Sequence, residues 1–336
     1  MNTIYFDPNF SDDIRRELLY QGQLIVYSPR KSSTEFCAFA RSLIEEAFSP
    51  LNPESAQYHM PVEQYAGILN KLKPYFIHHP QSKKYLQAIF QELECDLSKT
   101  YTDVPKMRSS TSDNYLTTGI AYAWHPHRDT WYSAPSCQIN WWLPIYPIES
   151  DNAMAFHPHY WNQAIQNDSS TYNYYEHNLR RHTTGQHLKD DPRPLPKPVE
   201  PIEMDPQIRL ICNAGGIIMF SAAQLHSSVP NISGKTRFSI DFRTVHLDDV
   251  VHKHGAKNLD AKCTGTTMRD YLRGSDLSHI PDDIVALYDD GTEKNEGVQL
   301  EYTPPTPAVL AKKKLAYLEE LSTLHSHRVL GSGMPR

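Results

Sequence analysis

His125, His127 and Asp129 fall within five residues at the end of a β-prone run from Tyr115 to Trp124. Neutral imidazoles and a carboxylate are the donors a borderline divalent metal favours. On an extended backbone, residues i and i+2 point to one face, so His127 and Asp129 can chelate one ion. His125 shares that parity, but an i, i+4 pair on a strand stands about 13 Å apart. His125 is therefore expected to support a ligand or line the pocket. The third ligand is expected a hundred residues on, at His226, within the run Gly215 to Pro230. Two histidines and one carboxylate on one face of an octahedron leave the opposite face open to exogenous ligands.

In a chain with 17 histidines a lone His-x-Asp pair says little, and the sequence after His226 gives it weight. Arg237 follows His226 by eleven residues, in a β-type run from Thr236 to Thr244 where Arg237, Ser239, Asp241 and Arg243 share a face. A five-carbon keto-diacid that chelates a metal through its keto and adjacent carboxylate groups needs a cation for its far carboxylate. Arginine suits that task because its planar fork binds a carboxylate bidentately. Ser239 is placed to add a hydrogen bond, and Arg243 is the alternative anchor. The plainer account of Arg237 is a structural salt bridge.

These residues need a β framework to position them. Short β-type runs lie at Val104 to Arg108, Cys137 to Tyr146, Ala153 to Phe156, Arg209 to Cys212, Gly216 to Phe220 and Thr236 to Thr244, divided by turn residues, as in a barrel or jelly roll. The first hundred residues read as helical: Ser11 to Tyr20, a helix opened by a Ser32/Glu35 capping box, Val62 to Leu72 stopped by Pro74, and Ser82 to Leu97, with a strand at Gly22 to Tyr27. Residues 157–206 are polar and tyrosine-containing, with a proline-dense stretch from Pro192 to Pro198, and read equally as a lid or as a surface excursion. The expected division is a single domain over residues 1–300, with a helical section 1–100, a β core at about 104–245 and an extension 246–300. A proline linker and helical tail follow at 301–336, with Leu310, Leu315, Leu318 and Leu321 docking on the body.

At 336 residues, 39% hydrophobic and 21% charged, the composition is that of a globular protein. A net charge of −6 argues against broad binding to nucleic acid or to an acidic membrane. The five widely spaced cysteines read as free thiols, and with no signal-peptide pattern or membrane-length apolar run the expected location is cytoplasmic. In that setting the Asn167 and Asn231 glycosylation patterns are accidental matches. Lys106, Arg108 and Arg128 are expected at the surface, with contact to an acidic substrate group as the alternative. Oligomeric state is not legible.

His127-x-Asp129, His226 and Arg237 at this spacing resemble the iron(II)/2-oxoglutarate-dependent oxygenase superfamily. The arrangement is most similar to its phytanoyl-CoA dioxygenase-like branch, given the helical start, the Trp124 to Asp129 motif, the Gln138 to Ile145 strand and the Asp151 to Pro158 segment. The resemblance covers residues 10 to 245. It implies a mainly β fold with flanking helices, built on a double-stranded β-helix (jelly roll, cupin-like) core. It further implies Fe(II) held by His127, Asp129 and His226 as catalytic ligands, and 2-oxoglutarate held by Arg237 in a pocket lined by Trp142 and Ser228, with O2 as oxidant. The implied reaction hydroxylates an unactivated C–H bond of a small-molecule metabolite, releasing succinate and CO2. Related halogenases lack the carboxylate ligand, so Asp129 favours hydroxylation, with desaturation or ring formation as variants. Where family members often carry Gly-Ser-His this chain has Phe156-His-Pro-His-Tyr160, so the family's substrate is not carried over.

Two rivals remain. One is a metal-binding cupin-like isomerase or ligand-binding jelly roll without oxygenase activity, in which Arg237 pairs within the protein. The other is a nucleic-acid demethylase of the same superfamily, which the acidic charge balance disfavours.

Overall fold

Residues 3–117, 125–179, 195–289 and 305–326 are described by the computed structural model. Strand β1 (Ile4–Phe6), helix α1 (Asp12–Tyr20) and strand β2 (Leu24–Tyr27) precede three long helices, α2 (Lys31–Phe48), α3 (Val62–His78) and α4 (Pro80–Glu92). In α2, Phe36, Ala40, Leu43, Ile44 and Ala47 recur at helical spacing and are buried as one stripe. The Ser32/Glu35 box does not form. Instead the Glu92 carboxylate, at the end of α4, accepts the backbone N–H groups of Lys31 (3.1 Å) and Ser32 (2.8 Å) together with the Ser32 hydroxyl. An anion from a neighbouring helix meets two orphan donors and the positive end of the helix dipole at once. Nor does Pro74 stop α3, which runs on to His78. Proline removes the bond to the Asn70 carbonyl, and both residues are exposed, where water can take that bond's place.

The strands that follow are β3 (Thr100–Thr102), β4 (Lys106–Ser110), β5 (Ile139–Pro144), β6 (Met154–Phe156), β7 (Ile208–Leu210), β8 (Ile217–Ser221), β9 (His226–Ser228) and β10 (Arg237–His246), with the short helix α5 (Tyr174–Leu179) between β6 and β7. After them come α6 (Leu247–His252), β11 (Leu272–Arg273), α7 (Asp282–Val285) and α8 (Pro307–Ser326). The larger sheet runs β1-β2-β8-β5-β10-β3-β11, with β4 also paired to β10, and the smaller runs β7-β6-β9. Among the described strands only β1 and β2 pair in parallel. The strand expected from Tyr115 is absent over its described part. Asp113 and Asn114 take left-handed backbone angles, Tyr115 and Leu116 lie in the bend that follows, and 118–124 fall outside the described residues.

Strand alternation divides the larger sheet into two environments. Ile139, Trp141 and Leu143 of β5 and Phe238, Ile240 and Phe242 of β10 pack against the helices. The other face looks toward the smaller sheet, and its β2, β5 and β8 part is apolar: Leu24, Val26, Trp142, Ile218 and Phe220 meet Met154, Phe156 and Leu210. Its β4 and β10 part is charged. Arg237, Ser239 and Asp241 stand opposite Ser110, Arg108 and Lys106, and Asp241 and Arg243 stand opposite Trp142 and Asn140. This is a sheet-dominated fold with flanking helices, and one inner face is half oily and half ionic.

The tail helix α8 docks on α3. Tyr317 stacks on Tyr75 with ring centroids 4.2 Å apart, and Gln64 donates to the Leu324 carbonyl at 3.0 Å. Leu321 is buried and Leu318 packs on the core as expected, with Tyr317 beside them, whereas Leu315 is 59% exposed and lies off the docked face. All five cysteines are free. The side-chain amides of Asn167 and Asn231 are both engaged with backbone carbonyls. Among the described residues no helix is long and apolar enough to cross a membrane.

Glu92→Ala is expected to lower stability by about 1 kcal/mol, the usual value of a helix cap. Burial alone would raise the Glu92 carboxyl, but the bonds from Ser32 and Lys31 outweigh it and hold it below its ordinary value. A depressed acid stabilises above its unfolded pKa and loses that contribution as pH falls through the folded value. Urea midpoints of the two proteins should therefore differ at pH 7 and converge toward pH 3.

Candidate metal centre

His127, Asp129 and His226 converge. One ligand atom from each lies within 4.8 Å of the others, and all three side chains are largely buried. The backbone that achieves this is not the expected strand through Asp129. His127 and His226 form an isolated antiparallel bridge, exchanging N–H···O bonds of 3.0 Å in both directions, and Asp129 then opens a 3-10 turn over Asp129–Tyr132. The bridge joins two segments a hundred residues apart, and the turn brings the carboxylate back to within 3.4 Å of His127 Nε2.

The proton arrangement follows from the partners. His127 Nδ1 lies 2.8 Å from the His125 carbonyl and His226 Nδ1 lies 2.9 Å from the Gln224 carbonyl. A carbonyl only accepts, so each Nδ1 carries the proton and each Nε2 presents a lone pair. Those two nitrogens face the same oxygen, Asp129 Oδ1, at 3.4 and 3.9 Å. Burial would raise the Asp129 carboxyl, but His127, Arg243 and His226 outweigh it and hold it far below the ordinary carboxylate range. Burial, and then His127, push His226 down to about 3, so its ring is neutral. The two Nε2 atoms and Asp129 Oδ1 thus face one another, and a divalent cation placed among them would bind all three. Two neutral imidazoles and one carboxylate fit iron(II).

The second oxygen of Asp129 is held from behind. Gln138 Nε2 donates to Oδ2 at 3.1 Å and Arg243 Nε stands 3.7 Å from it. Gln138 is itself fixed by the Tyr271 hydroxyl, which donates to its Oε1 at 2.7 Å. Phe220 packs edge-on to the His226 ring at 4.8 Å and Phe156 lies nearly parallel to it at 6.3 Å, keeping that side dry.

Arg128 is neither at the surface nor free for a substrate. It is buried, with Nη2 donating to the carbonyls of Tyr160 (2.7 Å) and Gln163 (2.9 Å), Nη1 to that of Ala223, and Nε to Asp260 at 3.2 Å. Asp260 also accepts from Trp131 Nε1 at 2.7 Å and from the Ile165 N–H at 2.9 Å. Between the two ligands of one motif, a single guanidinium thereby ties the 129–132 turn to the turn before His226. Lys106 and Arg108 also differ from the surface placement expected, since both lie on the inner face of β4. His125 turns its Nε2 to the Pro196 carbonyl at 2.7 Å, which the Tyr132 hydroxyl also reaches at 3.1 Å. The described parts of the 157–206 segment thus pack against the metal-site turn, burying Tyr160, Tyr172, Tyr174 and Tyr175, while 180–194 lie outside the described residues.

A second corner forms where β9 meets β10. Arg237 Nη1 donates to the carbonyls of Asn152 (2.7 Å) and Ala153 (3.2 Å), and Nη2 stands 3.4 Å from Ser228 Oγ. The guanidinium carbon lies 5.5 Å from the centre of the Trp142 ring. Arg237 Nε and Ser239 Oγ are buried with no hydrogen-bond partner. Among the described residues no ion pair includes Arg237, and burial, only partly offset by Asp241, pushes its guanidinium down to about 10. Sequence reasoning missed Gln138, Tyr271 and the Arg243 contact to Asp129. Gln138 shares strand parity with Asn140 and Trp142, a usable signal, but nothing local marks Tyr271.

No protein-family model matches the chain, and no curated protein does. Among solved structures, the chain is similar to one described as a non-heme monooxygenase, ThoJ, at 12% identity over 89% of this chain and 91% of that one, with a TM-score of 0.37. It is similar to EvdO2 from Micromonospora carbonacea var. aurantiaca, complexed with 2-oxoglutarate, at 13% identity over 71% and 92%, with a TM-score of 0.40. The carbocyclase SnoK from nogalamycin biosynthesis, described as non-heme and alpha ketoglutarate dependent, matches at 14% identity over 71% and 85%, with a TM-score of 0.36.

Gln138→Leu leaves every ligand in place and removes a donor from Asp129 Oδ2. Iron(II) affinity is expected to fall by about 10- to 100-fold, the usual effect of losing a ligand's supporting hydrogen bond, as read by competition with a chromogenic chelator. An unchanged affinity would show that Arg243 alone orients Asp129.

Proposed function

We propose that this protein is a non-haem iron(II)- and 2-oxoglutarate-dependent dioxygenase of the phytanoyl-CoA dioxygenase-like type, with its two sheets forming a double-stranded β-helix, and that it hydroxylates an unactivated C–H bond of a small-molecule metabolite. The observation that carries this reading is the free edge of Arg237. Nη1 is anchored on two carbonyls, Nε has no partner, and Nη2 makes only a long contact, so the Nε/Nη2 side of the fork is open to a carboxylate. The unpartnered Ser239 hydroxyl stands two residues on along the same strand face.

His127, Asp129 and His226 would hold the metal, and Arg237, Ser239, Ser228 and Trp142 would hold the far end of 2-oxoglutarate. Iron(II), 2-oxoglutarate and O2 together supply the oxidising power for C–H hydroxylation, with succinate and CO2 as co-products. The protein's own part is positional. Ser228 lies two residues from His226 on β9 and faces Arg237, so the carboxylate anchor is fixed relative to the metal ligands through one strand. Trp142 walls the pocket with an apolar face, where a charge-assisted bond gains from the exclusion of water. The supported Asp129 leaves no gap in the ligand set for a halide, which favours hydroxylation. A cupin-like protein without oxygenase activity would pair Arg237 fully within the protein, and its unpartnered Nε, with no carboxylate in an ion pair with it among the described residues, counts against that. The net charge of −6 favours a small molecule over nucleic acid.

Without oxygen, iron(II) plus 2-oxoglutarate is expected to give a visible charge-transfer band. His127→Ala should abolish it, and Arg237→Ala should raise the 2-oxoglutarate concentration needed by at least about tenfold, the loss of a charge-assisted hydrogen bond. No band in protein shown to bind iron would overturn the proposal.

A further inference from the structure

We propose that an open cavity beside the C-terminal end of α2 is a binding site for an organic ammonium ion, with the Glu54 carboxylate as its counter-ion and the Tyr146 hydroxyl as a second acceptor. This site lies apart from the metal centre and does not depend on how that centre is read.

The cavity has a volume of about 360 Å³, and Arg41, Glu45, Leu51, Pro53, Glu54 and Tyr146 are among the residues that line it. Gln138 precedes β5 and Tyr146 follows it, and the six residues of that strand, about 20 Å long, separate the cavity from the support of Asp129. Tyr146 is 3% exposed, and its hydroxyl has no hydrogen-bond partner. The ring is held between Phe238, with centroids 5.9 Å apart, and the Arg41 guanidinium, whose carbon lies 4.9 Å from the ring centre. A buried hydroxyl without a partner costs free energy, and a donor bound in the cavity would supply that partner.

Glu54 is half-buried, and its backbone is fixed: its N–H donates to Asn52 Oδ1 at 2.9 Å and its carbonyl accepts from the Thr236 N–H at 2.7 Å. Among the described residues no hydrogen bond or ion pair reaches its carboxylate. The two cations nearby are each committed to another acid, Arg41 Nε to Glu45 at 2.8 Å and Lys235 Nζ to Glu149 at 2.6 Å. Both still act on Glu54 at longer range, but burial outweighs them and raises its carboxyl above the ordinary value. The last turn of α2 adds to the negative field, since it holds Glu45 and Glu46 and no basic residue at the negative end of the helix dipole. A hard divalent metal would want about six oxygens, more than one unpaired carboxylate and a hydroxyl provide. An ammonium group carries three donors, enough to reach Glu54 and Tyr146 together, while Leu51 and Pro53 give its carbon chain an apolar wall.

The test is ligand-observed NMR titration of the full-length protein with n-butylammonium chloride, 1-butanol and sodium butyrate, followed by titration of variants with the ammonium salt. The wild type should bind the ammonium ion with Kd on the order of 1 mM, and the uncharged and anionic probes at least about tenfold more weakly. Glu54→Gln keeps the size of the side chain, removes its charge and should weaken binding by about tenfold or more. Tyr146→Phe removes only the hydroxyl and should weaken it by about threefold. Glu319→Gln, which removes an exposed carboxylate on α8, should leave it unchanged. Circular dichroism checks each fold. No binding of the ammonium ion, equal binding of 1-butanol, or the same loss in Glu319→Gln as in Glu54→Gln would overturn the site.

Discussion

A carboxylate can stay ionised in a protein interior only if positive charge or strong donors face it, and Asp129 has these on the side away from the histidines. Gln138 and Arg243 take Oδ2, which leaves Oδ1 to the two imidazole nitrogens. That division of one carboxylate into a supported oxygen and a presented oxygen governs much of what surrounds it. It requires Tyr271 behind Gln138, a 3-10 turn to aim the carboxylate, and a guanidinium at position 243 of the longest strand.

The inner face of the larger sheet is organised around the same constraint. Its apolar half, with Trp142, Ile218 and Phe220 against Met154 and Phe156, seals the histidine side and joins the two sheets. Its ionic half is held by charge pairing instead, with Asp241 shared by Arg108 and Arg243 and Asp103 by Arg243 and Lys106. The oily part of the cleft therefore joins the two sheets, and the ionic part holds Arg243 beside Asp129. Helices α2, α3 and α4 cover the opposite face and take no direct part in the ligand set.

That His127, Asp129 and His226 come together was legible in the sequence because these residues are chemically distinctive and two of them sit two residues apart. Their backbone could not: strand periodicity predicts a shared face for His127 and Asp129, but the pair meets through a bridge to His226 followed by a turn. The β runs were legible from alternation, with β3, β9 and β11 too short to give a pattern. The Glu92 cap on α2, the Tyr271 support of Gln138 and the burial of Arg128 all depend on partners far away in the chain, which no local rule detects. Pro74 illustrates the converse, a strong local stop signal that exposure renders harmless.

Arg128 and Asp260 fasten the turn bearing Asp129 to the turn that leads into His226, so the site's distant halves form one unit held together by protein contacts alone. A frame of this kind holds its shape before the metal arrives and offers much the same geometry to any divalent ion of similar radius. Affinity of a given site for such ions generally rises from iron through cobalt and nickel to copper. A prebuilt pocket of two nitrogens and one oxygen is thus poor at choosing, and the ion it carries is decided by which metals the surroundings make available.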